Sequence, residues 1–108
     1  MKCSDVIQAL EERWNPSFAL EWDNVGLLVG REDKEVNRIL VALDASDEAV
    51  SQAEDLGADL LITHHPLIFS GIRQVTSGNF IGKRIIRLIQ TDISYYAMHT
   101  NFDVLGMG

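Results

Sequence analysis

The stretch RILVALDASDEAVSQAEDLGADLLITHHP, residues 38–66, decides the fold. Its first part, Arg38 to Leu43, is an apolar run without alternation, which suits a strand covered on both faces, and it stops at Asp44. From Ser46 to Leu56 the apolar positions change to helical spacing. Ala49, Val50, Ala53 and Leu56 form one stripe, and Gly57 stands where a left-handed C-cap belongs. Leu60-Leu61-Ile62 then returns as a second buried strand. Strand, helix, strand with connections this short is a βαβ unit, which implies parallel strands and a right-handed crossover.

The same pattern continues toward the C-terminus. Ser70 to Gly78 reads as a loop, and Phe80 to Gln90 as a helix with Ile81, Ile85, Leu88 and Ile89 on one face and Lys83, Arg84 and Arg87 pointing elsewhere. That basic face is taken as solvated and given no function. Ile93 to Met98 supplies a third strand. Toward the N-terminus, Val25 to Gly30 reads as a short strand bounded by glycine, and Arg31 to Glu35 as a turn. Ser4 to Trp14 reads as a helix with Ser4 as N-cap, Asp5 in its first turn and Val6, Ile7, Leu10 and Trp14 on one face, stopped by Asn15-Pro16. Between them, Trp22 in Glu21-Trp22-Asp23-Asn24 reads as a core anchor. The expected architecture is one α/β domain over residues 1–108, a three-layer-like parallel-strand βαβ core with helices packed on the sheet.

Composition narrows the function classes. Apolar residues at 46% and charged residues at 23% are those of a folding globular chain. Nine basic against sixteen acidic residues give a net charge of −7, which opposes a polyanion, so nucleic acid is disfavoured as a partner. Cys3 is the only cysteine, which leaves no intrachain disulfide and no thiolate zinc cage, and its place in a helical segment suits an inert thiol. The N-terminal residues lack a signal-peptide pattern, and no window approaches the roughly 20 apolar residues of a membrane span, so no membrane association and cytoplasmic residence are expected. Glycine-rich phosphate loops and serine nucleophile elbows are absent from the sequence.

All three histidines follow strand-like runs: His64-His65 after Leu60 to Thr63, and His99 after Ile93 to Met98. Groups that do chemistry in open α/β sheets are delivered at the carboxyl ends of parallel strands. Asp103 lies four residues after His99. Imidazole and carboxylate together make the ligand set of zinc, manganese, iron or nickel, so a divalent-metal centre is expected. Neighbours on a regular strand point to opposite faces, so His64 and His65 are expected to serve one centre only where the chain has already left the sheet, with Pro66 holding the doublet extended. Adjacent imidazoles suit one member each of a metal pair better than a single ion. Asp103 is the better ligand of the second cluster, and His99 reads as a ligand, a partner behind a ligand or a proton carrier. Asp44 also ends a strand, but is read as a turn or helix-entry residue ahead of Ser46.

The motifs WDNVG with LLVG at 22–30, LVALD at 40–44, ITHHPLIF at 62–69 and HTNFD at 99–103 resemble the N-terminal part of the GTP cyclohydrolase type-two homologue family, also called the Nif-three-like dinuclear-metal proteins. The resemblance implies an α/β fold, ring-shaped homo-oligomers such as a hexamer, and two divalent ions held at the positions matching His64, His65 and Asp103. Members are longer, and their centre is completed by a histidine and a bridging glutamate from a C-terminal segment. This sequence has no histidine after His99 and no glutamate after Glu54. It is therefore expected to be the N-terminal metal-binding portion of a longer architecture. Two functions remain open at this point: a metal-dependent hydrolase of cyclohydrolase or phosphoester type acting on a small molecule, with His99 as the catalytic proton carrier, and a non-catalytic metal-binding or adaptor protein or inactive fragment.

Overall fold

Leu60, Leu61 and Ile62 alternate between two apolar clusters, and that alternation places helices on both sides of one sheet. The computed structural model describes residues 1–15, 24–68 and 71–99. Its elements run α1 (Cys3–Arg13), β1 (Gly26–Val29), β2 (Ile39–Asp44), α2 (Asp47–Leu56), β3 (Leu60–His65), α3 (Phe80–Gln90) and β4 (Ser94–Ala97). On one face Leu61, Tyr95 and Ala97 pack with Val50 and Ala53 of α2 and with Ile85 and Leu88 of α3. On the other, Leu60, Ile62 and Tyr96 pack with Cys3 and Val6 of α1. The α/β layering follows from β3 and β4 being packed on both faces, in keeping with the buried strand read at 60–62. The Cys3 thiol is fully buried within this second cluster, and burial pushes its pKa up.

The strand order is β1-β4-β3-β2, with β2, β3 and β4 parallel. The sheet is not parallel throughout. β1 runs antiparallel to β4, with a register shift between Leu27 and Val29, the arrangement of an antiparallel edge strand closing an otherwise parallel sheet. A second correction concerns β2. Its apolar run predicts cover on both faces, yet Ile39, Val41 and Leu43 are 46%, 69% and 61% exposed. The strand lies at the edge, and the α1-side cluster draws its strand residues from β3 and β4, so among the described residues only the Leu40 and Ala42 face of β2 is packed.

Helix ends follow local chemistry where side chains cap them. Ser46 accepts from Ala49 N–H at the start of α2, Gly57 takes the left-handed conformation at its end, and Asn79 accepts from Ile81 and Gly82 N–H at the start of α3. Ser4 does not cap α1. The helix begins at Cys3 because tertiary acceptors satisfy its first donors: Cys3 N–H bonds the Lys34 carbonyl and Ser4 N–H the Glu32 carbonyl, while Asp5 reaches back to Lys2 N–H. Arg84 and Arg87, read as a solvated face, tie α3 to α2 through Asp47, Ser51 and Glu54. Ile89 is 60% exposed, so the packed stripe of α3 is Ile81, Ile85 and Leu88. The proposed stop at Pro16 and the anchor Trp22 lie outside the described residues.

One buried charge knits the strand starts together. Lys34, 7% exposed, hydrogen-bonds the Asp92 carbonyl and ion-pairs with Asp59 and Asp92 at 3.8 and 3.9 Å. Asp59 also accepts from the backbone N–H of Asn37 and Arg38, and these bonds hold its carboxyl below the usual range; the Arg31 guanidinium does the same for Asp92. A carboxyl whose folded pKa is depressed contributes stability above its unfolded value of about 3.9, and that contribution is lost as pH falls through the folded pKa. Thermal unfolding followed against pH should therefore show a plateau above about pH 5 and a fall below about pH 4. Asp59→Asn should lower the plateau by about 1.5–3 kcal/mol and flatten the acid limb, and an unchanged limb would remove Asp59 from the account.

Candidate metal centre

The carboxyl ends of β2, β3 and β4 bring Asp44, His64-His65 and His99 to one edge of the sheet. The doublet does not leave the sheet before it converges, as the sequence suggests it must: β3 continues through His65, which is paired in register with Asp44 of β2. Convergence is achieved at the strand terminus, where no further residue separates the two faces and the rings meet around the end. The His64 ring centroid lies 4.9 Å from His65 and 4.9 Å from His99, and His65 and His99 are 5.6 Å apart. One ring nitrogen of each histidine lies within 4.8 Å of the other two. Two nitrogens on one ion stand at most about 4.2 Å apart, so the imidazole set has the chemistry of a divalent-cation site and the rings would draw slightly together to share a single ion. Asp103 lies outside the described residues.

Asp44 belongs to this cluster rather than to the entry of α2. Its Oδ1 accepts from His65 Nδ1 at 2.5 Å, and the helix is capped by Ser46 instead. A carboxylate can only accept, so Nδ1 carries the proton in this contact, and in the neutral ring that leaves Nε2 as the ligand atom. The register pairing Asp44 with His65 creates this contact.

Two residues that the sequence does not single out hold the strand end. Thr63 Oγ1 and Tyr95 Oη lie 2.6 Å apart, both bond the His65 carbonyl at 2.8 and 3.1 Å, and Leu67 N–H donates to Tyr95 Oη at 3.0 Å. Tyr95 is fully buried, and burial raises its pKa, so a neutral hydroxyl fixes the chain from His65 to Leu67. Asn24, from the WDNVG motif, donates to the Ile68 carbonyl at 2.7 Å and fastens the next stretch of that loop. Beside His65 opens a cleft of about 440 Å³, bounded by Asp44, Pro66, Phe80 and Arg84. That volume is within the range of small-molecule sites.

Comparison with known proteins gives this arrangement its relatives. The profile of the family described as Duf34/NIF3 (NGG1p interacting factor 3) matches residues 1–108. The chain belongs to the Duf34/NIF3 family. Within the family it is 41% identical to the GTP cyclohydrolase 1 type 2 homolog of Clostridium perfringens, over 95% of this chain and 39% of that protein. The crystal structure of Staphylococcus aureus hypothetical protein SA1388 superposes with a TM-score of 0.91 at 47% identity, covering 95% of this chain and 34% of its relative. Reduced HcgD from Methanocaldococcus jannaschii gives 0.88 at 40% identity, covering 95% and 41%. The chain thus spans well under half the length of these family members. Among the described residues no helix is long and apolar enough to cross a membrane.

Proposed function

We propose that this chain provides the histidine-rich half of a divalent-metal hydrolase site, of the cyclohydrolase or phosphoester type, that acts on a small molecule. The observation that carries the reading is the convergence of three imidazoles within 4.8 Å, one of them oriented by a carboxylate, beside a substrate-sized cleft. The name borne by the family's Clostridium perfringens relative supports the hydrolase class. His64 and His65 are the protein's metal ligands, each suited to one ion of a pair, with Asp103 as the expected carboxylate ligand. Divalent ions held there, whether zinc, manganese, iron or nickel, supply Lewis acidity toward water and toward a phosphoryl or ring-carbon centre. The chain's own residues do the rest. Asp44 fixes the tautomer and orientation of His65, Thr63 and Tyr95 fix the backbone beneath it, and His99, its ring 5.6 Å from that of His65, serves as the proton carrier at the centre.

A second reading, a non-catalytic metal carrier or adaptor, is favoured by one observation: the His65 side chain is 47% exposed, so a ligand set built on it is open to solvent. Elemental analysis after dialysis without chelator, followed by assay against nucleotides and an aryl phosphate, separates the two. The hydrolase reading expects about two ions per chain or per completed site and turnover that depends on them. Bound metal without turnover gives the carrier, and a metal-free protein that refuses reloading overturns the hydrolase and the carrier and leaves the adaptor. The family's ring-shaped homo-oligomer and cytoplasmic residence are carried forward as parts of the same proposal.

A further inference from the structure

Arg84 stands where α3 meets both α2 and the cleft, and only part of its side chain is spent on holding the helices together. Its Nε donates to Asp47 Oδ1 at 2.9 Å, its guanidinium carbon lies 5.1 Å from the centroid of the Phe80 ring, and its side chain is 19% exposed. A guanidinium carries five N–H donors, and that bond uses one of them. Nη1 and Nη2 have no hydrogen-bond partner among the described residues. A tie to α2 needs the Nε bond alone, so the other donors are surplus to it. Their surroundings suit an anion. Arg84, Phe80 and Ser46 bound the same cleft of about 440 Å³ that opens beside His65. Ser46 Oγ accepts from Ala49 N–H, which leaves its hydroxyl hydrogen without an acceptor among the described residues. Asp44, the carboxylate among the residues bounding the cleft, is committed to His65. Arg84, reinforced by Arg87 and Lys83, holds the Asp47 carboxyl below the usual range, so three cations converge on this corner of a chain whose net charge is −7. Phe80 is 64% exposed and offers an apolar ring beside the guanidinium.

We propose that Arg84 is the specificity-determining residue for a phosphate group on the small molecule that occupies this cleft, with the Phe80 ring packing on the apolar part next to that phosphate. This role rests on the small-molecule reading of the cleft given above and adds to it the group recognised. Phosphate is preferred to carboxylate on chemical grounds. A carboxylate has two oxygens in one plane, which the fork of a single arginine occupies. A phosphate monoester at neutral pH is nearly dianionic and keeps a further oxygen outside that plane for a donor such as the Ser46 hydroxyl. By gripping Nε, Asp47 fixes the direction of the fork before any ligand binds, so less side-chain freedom is lost when the anion arrives.

The test is made on the chain after chelator treatment, so that bound metal cannot hold the anion. Phenyl phosphate titrated against isotope-labelled protein should shift the amide resonances of Phe80 and Ile81 saturably, and Arg84→Gln should weaken that binding about tenfold or more. Arg84→Lys, which keeps the charge and loses the fork, should fall between the two, and it carries the comparison if Arg84→Gln fails to fold. Asp47→Asn separates recognition from architecture. It breaks the same ion pair but keeps the guanidinium and an acceptor for Nε, so it should bind phenyl phosphate at least as tightly as the wild type. A residue that only ties helices would make Asp47→Asn and the Arg84 variants lose binding together, and that result overturns the proposal. Benzoate should bind more weakly than phenyl phosphate, and equal affinities would overturn the choice of phosphate. The absence of a saturable shift, binding that both Arg84 variants leave unchanged, or binding that appears only after zinc is restored would each remove Arg84 from recognition while leaving the hydrolase reading intact. Failure of the chain to take up zinc would remove the hydrolase reading and leave these titrations as they stand.

Discussion

Replacing His64 and His65 together by alanine should lower affinity for zinc or manganese by more than about 100-fold, because it removes two of the three imidazoles that converge within 4.8 Å. Competition against a chromogenic chelator measures this directly. Asp44→Ala offers the graded comparison. It leaves every imidazole in place but removes the acceptor at His65 Nδ1, and loss of such an orienting partner costs about 10–100-fold. The order is therefore wild type, Asp44→Ala, then the double variant. Should the double variant bind as tightly as the wild type, the centre lies elsewhere. If Asp44→Ala matches the wild type, the carboxylate contact is incidental to metal binding.

A large loss of stability is expected from Gly30→Ala. Gly30 sits at φ +106°, and a Cβ there would lie 2.7 Å from both Cα and Oγ of Ser94. Ser94 is buried and donates its hydroxyl to the Arg31 carbonyl, so it has little room to withdraw. Backbone strain of about 1–3 kcal/mol and overpacking of about 1–3 kcal/mol combine here, and a melting temperature lowered by on the order of 10–20 °C is expected. Two other glycines dissect the sum. Gly26 has φ +107° but nothing within 4 Å of its would-be Cβ, so Gly26→Ala should show the strain alone. Gly71 has open space and no positive φ, and Gly71→Ala should stay within about 0.5 kcal/mol of wild type. Equal melting temperatures for the Gly26 and Gly30 variants would remove steric contact with Ser94 from the explanation.

Much of this molecule is legible in its sequence, and the failures share a cause. The βαβ unit at 38–65, the capping by Ser46 and Gly57 and the delivery of three histidines to strand ends all rest on local periodicity, which the structure preserves. What was misread depends on lateral order in the sheet. An unbroken apolar run looks the same whether a strand is central or sits at an edge awaiting cover, so Ile39, Val41 and Leu43 gave no sign of their exposure. Asp44 looked like a helix-entry residue because its partner, His65, is reached only through the β2–β3 register. Thr63 and Tyr95 carried no signal at all. One hydroxyl precedes the histidine doublet and the other lies on the adjoining strand, and only the pairing of β3 with β4 lets them share the His65 carbonyl. The fourth expected member, Asp103, lies outside the described residues.

The strand order also governs how the chain must be made. β4 is central in the sheet but last of the four strands in sequence, and β1, the first, pairs with nothing else. On a ribosome adding about 5–20 residues per second, Leu27 spends several seconds without the backbone partner it finally meets at Tyr96. Until then the nascent chain carries two open edges and a buried face with no lid. Closure of the four described strands therefore waits on β4, which joins the earliest strand to the other two.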